Sequence, residues 1–278
     1  MCWCHVSREF SFLSAFKPQV FVPILRATGT SLICLATEDG VFLAADDLVY
    51  AERNGQAVPL QRDFRKVGAI NTTLIGTAGL MIHHNINYDV NDWIPELEKE
   101  LGVTDGLPSS VADQILRKLQ DVFKPAAPLV SQGVWKGYKP GGRLVDYVVA
   151  GYTKNFKRPY IFEVGVEINR THDGLTFIGP IHHQKSFPHR VWFGEDYYFE
   201  RAREGREPEY SFWERSAEAA HADVVRAFPN CPQPLQEAVV STVACIKVEA
   251  HFNAERVGSK VNVVLFDRSS RSMLSAAF

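Results

Sequence analysis

Long apolar runs are missing from this sequence. No stretch approaches the roughly 20 uninterrupted apolar residues of a membrane-spanning helix, because Arg, Lys, Asp or Pro interrupts every candidate. No membrane partner is therefore expected. An excess of either charge is missing too: 30 Lys and Arg stand against 32 Asp and Glu. There is no long like-charged run, and the aromatics are not interleaved with basic residues, which argues against a nucleic-acid partner. Cysteine is scarce. Cys2, Cys4, Cys34, Cys231 and Cys245 are odd in number and irregular in spacing, so a disulfide framework is not expected and a reducing, cytoplasmic compartment fits better. Histidines fall at His83-His84, His182-His183 and His189, but no HExxH or paired-carboxylate spacing accompanies them. They read as surface or interface residues, not metal ligands. No internal repeat, low-complexity tract or linker marks a second domain.

What is present divides before Thr30. Residues 1–29 contain apolar segments split by Lys17 and Pro18, with Arg8 and Glu9 early, and RATG is a poor signal-peptidase site. They read as a leader or propeptide, an organellar presequence being the weaker alternative. From Thr30 to Phe278 a single domain is expected. SLICLATEDGVFLAAD reads as two strands joined at Asp39-Gly40, a pair suited to the positive φ of a tight turn. FRKVGAI and TTLIGTAGL supply two more strands, with Asn71-Thr72 between them. The period then changes: Ile82, Ile86, Val90, Ile94, Leu97 and Leu101 form a helical stripe in which Pro95 belongs to a first turn or a kink. Ser110 with Asp113 predicts a capping box for a second helix, which carries Val111, Ile115, Leu119 and Val122 on one face and ends at Pro125. Strands return in LVDYVVAGYT, PYIFEVGVEI and GLTFIGPI. Helices follow in SFWERSAEAAHADVVRAF and PLQEAVVSTVACIKVEAHF, and KVNVVLFDR is a final strand. This order predicts an α/β fold in which two sheets pack between helical layers.

A threonine hydroxyl is a weak nucleophile unless a base lies beside it, and a chain terminus supplies one in the residue's own α-amine. That amine has an ordinary pKa of about 7.7 to 8.0, close to working pH. Exposing such a residue inside a longer precursor requires the preceding bond to break, and glycine leaves room for the strained backbone involved. Gly29-Thr30-Ser31 meets these conditions at the start of the first strand.

On these residues the sequence resembles the proteasome β-subunit family of N-terminal-nucleophile threonine hydrolases. GTSLICLATEDGVFLAADD is similar to the family's opening, with Asp46 at the family spacing from Thr30. FRKVGAI is similar to its lysine-bearing strand, with Lys66 the only lysine between Asp46 and the next helix, after a loop about four residues longer than the family's by an ungapped count. TLIGTAGL is similar to its oxyanion-hole strand. The similarity is close over residues 29–80 and looser beyond.

The resemblance implies a four-layer αββα sandwich of two mainly antiparallel sheets between helical layers. It also implies self-removal of the leader, Thr30 as nucleophile, Lys66 as the charge favouring the alkoxide, Asp46 as the partner orienting Lys66, and Gly79 as the oxyanion donor. No cofactor and no metal are implied. The expected partners are a peptide or unfolded protein as substrate and further copies of the chain in a homo-oligomer, a ring in the family. Two departures stand out: the family's Gly-Ser-Gly turn is replaced by Gly194-Glu195-Asp196, and its Asp and Ser before the last strand by Asn253, Glu255 and Ser259. Support of the Thr30 amine would then pass to Glu195 or Glu255. A catalytically silent ring or scaffold subunit and a small-molecule amidase are the alternatives, while Cys2 as a nucleophile and a Cys2, Cys4 and His5 metal site lack supporting residues.

Overall fold

Two antiparallel sheets account for most of the chain in a computed structural model, which describes residues 27–29, 31–53, 56–83, 86–101, 106–129, 141–153, 155, 158–171, 173–183, 189–194 and 196–278. In chain order the strands are β1 Ala27–Gly29, β2 Ser31–Ala36, β3 Gly40–Asp46, β4 Val49–Arg53, β5 Gln56–Gln61, β6 Val67–Ile70, β7 Thr73–His83 and β8 Tyr88–Asp89. Helices α1 Val90–Leu101 and α2 Pro108–Phe123 follow, then β9 Arg143–Tyr152, β10 Pro159–Ile168, β11 Leu175–His182 and β12 His189–Gly194. The chain closes with α3 Tyr197–Arg203, α4 Glu209–Ala227, α5 Gln233–Phe252, β13 Val261–Asp267 and β14 Ser272–Ala277.

The larger sheet runs β11-β10-β9-β7-β1-β4-β5, with β6 and β8 also on β7; the smaller runs β12-β2-β3-β13-β14. Burial explains why β2 reads as an unbroken apolar run. Leu32, Cys34 and Ala36 face the other sheet, where they meet Leu74, Ala78, Val148 and Ala150. Ile33 and Leu35 face away and pack with Val224 of α4 and Val239, Val243 and Ile246 of α5. On the far side of the larger sheet, Ile75, Val145, Tyr147 and Val164 pack under Ile94 and Leu97 of α1 and Ile115 and Leu119 of α2. A strand covered on both faces loses the period-two alternation that a half-exposed strand shows. No helix among the described residues is long and apolar enough to cross a membrane.

Three local expectations are corrected. The stripe from Ile82 to Leu101 is not one helix: Ile82 belongs to β7, and α1 begins at Val90, where the Asp89 carboxylate accepts the N–H of Asn91 at 2.9 Å. Pro95 lies inside that helix. Ser110 and Asp113 form no capping box, because α2 starts two residues earlier with Pro108, whose missing N–H costs nothing where helix donors have no partner anyway. The β2–β3 turn uses no positive φ at Asp39 or Gly40. Instead the Thr37 hydroxyl accepts the N–H groups of Asp39 (3.2 Å) and Gly40 (3.1 Å). Gly40 is needed for space, since a Cβ there would lie 2.5 Å from the Phe266 carbonyl.

Candidate active site

One edge of β7 receives two partners in succession. β6 pairs along Thr73–Gly76, with Val67 opposite Gly76, and β1 pairs further on, with Gly29 opposite Gly79. Between them, Thr77 N donates to the carbonyl of Lys66 at 3.0 Å. Lys66 and Gly29 are therefore delivered to neighbouring stations on the same edge. Residue 30 lies outside the described residues, but both its neighbours are fixed. Ser31 opens β2 in the other sheet, and its N–H donates to Asp46 Oδ1 at 2.9 Å. Gly29 thus ends β1 in one sheet opposite Gly79, and Ser31 opens β2 in the other sheet against Asp46.

Asp46 and Lys66 form an ion pair in the interior. Lys66 Nζ donates to Asp46 Oδ1 at 2.7 Å, with exposures of 1% and 0%. Burying two charges costs several kcal/mol per ion unless every donor and acceptor is satisfied. Here Asp46 Oδ2 also accepts the N–H groups of Leu48 (3.0 Å) and Gly258 (2.9 Å), so the carboxylate has three backbone donors besides the ammonium. Burial holds the Lys66 ammonium below its ordinary value, and Asp46, by charge and hydrogen bond, together with Asp47, by charge, opposes that fall.

Glycine is required at two places around the pair. Gly79 has φ +85°, and a Cβ there would lie 2.7 Å from the Leu144 carbonyl. At Gly258 a Cβ would lie 2.0 Å from Asp47 Oδ1 and 2.7 Å from Leu48 N. Gly258→Ala should therefore push its loop outward, remove a donor from Asp46 and lower stability by about 1–3 kcal/mol, the usual cost of overpacking. Urea unfolding of the variant measures this.

Of the residues singled out from sequence, Asp46, Lys66 and Gly79 come together around Gly29 and Ser31. Thr30 and Glu195 lie outside the described residues, as do Cys2, Cys4 and His5. Glu255 and Ser259 are exposed and Asn253 is half-buried. Sequence reasoning missed Gly258, which lies in the same loop as Asn253, Glu255 and Ser259, and Asp47, which is buried next to Asp46 in the chain. The doubled acid Asp46-Asp47 was the available signal.

The histidine expectation is corrected in part. His83 and His189 are buried, not surface residues. His182 stacks on Tyr160 and Phe162, and His183 Nε2 is 3.1 Å from Glu163 Oε2. Among the described residues no three His, Cys, Asp or Glu are grouped to hold a metal ion. Cys34, Cys231 and Cys245 are free and buried, and burial pushes all three thiols up, so they are poor nucleophiles.

A second charged group lies on the strand beside β7. Asp146, opposite Ala78 of β7, accepts from Arg143 at 3.0 Å, and Arg143 also reaches Glu163 at 2.6 Å. Burial pushes the Asp146 carboxyl up to about 7, against the pull of Arg143 and with added repulsion from Glu163 and Glu167. The ordinary unfolded value is about 3.9. Between these values the folded chain holds the proton that the unfolded chain has released. Stability should then fall as pH rises from about 4 to about 7, by up to ~1.4 kcal/mol per pH unit. Asp146→Asn should flatten that slope, as melting temperatures at pH 5 and pH 8 would record.

No protein-family model and no curated protein matches the chain. Solved structures do. A Gly-1 mutant of Anbu from Hyphomicrobium sp. strain MC1 superposes with a TM-score of 0.50 at 13% identity, covering 90% of this chain and 87% of that one. A second Anbu structure from the same organism gives 0.46 at 13% identity, covering 89% and 87%. The first likeness shows a proteasome-related fold.

Proposed function

We propose that the chain is a self-processing threonine hydrolase of peptide or amide bonds, with Thr30 as its nucleophile. The observation that carries this reading is the placing of Gly29 opposite Gly79 and of Ser31 against the buried Asp46–Lys66 pair. The three cores, helix against sheet, sheet against sheet and sheet against helix, support the finer reading of the fold as a four-layer αββα sandwich.

In the precursor, Thr30 Oγ attacks the Gly29 carbonyl carbon. The negative charge that develops on the Gly29 oxygen is met by the Gly79 N–H, a donor of the kind whose removal elsewhere costs roughly 3–4 kcal/mol. The Gly29–Thr30 C–N bond then breaks, the nitrogen takes the hydroxyl proton, and Gly29 is left as an ester on Oγ. Water hydrolyses that ester, releasing the leader as a carboxylate and restoring the Thr30 hydroxyl beside the amine that the shift has freed. In the mature chain the amine takes the Oγ proton during attack on a substrate carbonyl and returns it to the leaving amine. The Lys66 ammonium, held by Asp46, lowers the energy of the alkoxide throughout. Before cleavage, β1 lies paired between β7 and β4. An extended peptide substrate would take the same place by strand addition. Assembly into a homo-oligomeric ring belongs to this reading.

A catalytically silent scaffold subunit is the second reading. The loop before β13 favours it, where Glu255 and Ser259 are exposed and no acid takes the place of the family's supporting Asp. An electrophilic β-lactone probe that acylates activated hydroxyls separates the two. The enzyme reading expects one label per chain, mapped to Thr30 by peptide mass. A chain that stays unlabelled, or is labelled elsewhere, contradicts it.

A further inference from the structure

Resting on the reading of Lys66 above, we propose that Asp47 is a second positioning residue for Lys66, clamping the loop that carries it and adding a second negative charge beside the Asp46–Lys66 pair. Asp46, the last residue of β3, reaches the ammonium, and Asp47, the residue after the strand, reaches the loop that leads into Lys66. Asp47 grips that loop twice: its Oδ2 accepts Asp63 N at 3.1 Å and its carbonyl accepts Phe64 N at 3.0 Å. Asp63 has φ +61°, the left-handed turn from which the chain enters Lys66. A second loop carries Gly258, whose N–H holds Asp46 and whose bare Cα admits Asp47 Oδ1. Lys260 in that loop pairs with the Asp63 carboxylate at 2.5 Å, tying the two loops to each other.

Asp47 is 4% exposed, and its Oδ1 has no hydrogen-bond partner among the described residues. A carboxylate oxygen buried in this way is costly unless nearby cations compensate it. Two are present. Lys66 and Lys260 are both stabilised in their charged forms by Asp47. Among the described residues, the charges acting on Lys66 are Asp46, the last residue of β3, and Asp47, the residue after it. Those facing Asp47 are Lys66, Asp63 from the β5–β6 loop and Lys260 from the α5–β13 loop.

The test compares Asp47→Asn, which keeps the acceptor for Asp63 N but removes the charge, with Asp47→Ala, which removes both. Each is made in the full chain bearing Thr30→Ala, so that leader removal cannot differ between samples. The readout is the NMR titration of Lys66 in protein labelled with 13C-lysine, the resonance being assigned by its loss in Lys66→Arg. The expected result is a Lys66 midpoint lower by about one pH unit in Asp47→Asn, from the loss of one nearby charge at a partly screened distance, with the melting temperature little changed. An unmoved midpoint in Asp47→Asn overturns the inference. So does a midpoint that moves only in Asp47→Ala together with a large loss of stability, which would leave a scaffold role alone. If Lys66 responds as expected while the chain with Thr30 intact neither processes nor hydrolyses, the enzyme reading fails and the role of Asp47 stands.

Discussion

A Thr30→Ala chain should keep its leader and lose hydrolysis of peptide amides by at least about 10³-fold, while folding as the unmodified chain does. The size follows from removing a nucleophile, a change that in other hydrolases costs this much or more because nothing else in the site can form the covalent intermediate. Thr30→Ser should retain both reactions at a lower rate, since a serine hydroxyl beside its own amine offers the same chemistry. The contrast matters because residue 30 joins β1 of one sheet to β2 of the other. A general disturbance of that junction would affect serine and alanine alike, whereas a chemical role separates them. Intact mass reports leader retention, and a fluorogenic peptide amide reports hydrolysis. Leader removal at a normal rate in Thr30→Ala would assign the cleavage to another residue or to another protein.

Replacing Lys66 is expected to have the second-largest effect, and on two properties at once. Lys66→Ala should abolish leader removal and hydrolysis, because the positive charge that favours the Thr30 alkoxide is gone. It should also lower stability by about 3–5 kcal/mol, the usual cost of leaving one partner of a buried pair alone. The lower end of that range is favoured here, since Asp46 keeps the N–H groups of Ser31, Leu48 and Gly258. Lys66→Arg should not rescue activity, because a planar guanidinium cannot replace a point charge in a space shaped for an ammonium. The pH dependence carries a sign that can be checked. Burial lowers the Lys66 pKa from its ordinary 10.5, so activity should fall as pH rises through that lowered value and the ammonium is lost. Over the same interval the unfolded chain holds a proton that the folded chain has released, so stability should rise. Opposite movements of rate and stability on the alkaline side, measured by a pH–rate profile and by urea unfolding, would mark Lys66. If Lys66→Ala processes itself normally, the charge is supplied by another group.

How much of this was legible in the sequence depended on whether a feature is local. β2 with β3, β6 with β7, and the run β9 to β11 are long or tightly joined, and their apolar patterns sufficed. β5 was not read, because QAVPLQ mixes polar residues with Pro59 on a sheet edge. β12 and β14 are edge strands as well, with half-exposed side chains and little pattern. The helix start at Val90 was hidden because the buried end of β7 happens to continue the spacing of the stripe on α1. In the site, Asp46 and Lys66 were found through the resemblance. The backbone donor that completes Asp46 comes from Gly258, 212 residues away. No local pattern can reveal a partner at that separation. Asp47 was overlooked for a related reason: its value lies in the two loops it joins, and these meet only after the sheets have packed.

The account rests on Thr30 becoming a chain terminus, and the N-terminus of the purified full-length product tests that most directly. Expressed from its first codon and examined by intact mass together with N-terminal sequencing, the chain is predicted to consist of residues 30–278, beginning Thr-Ser-Leu-Ile. Species that retain residues 1–29 in every preparation, with no Thr30 terminus detectable, would contradict the account.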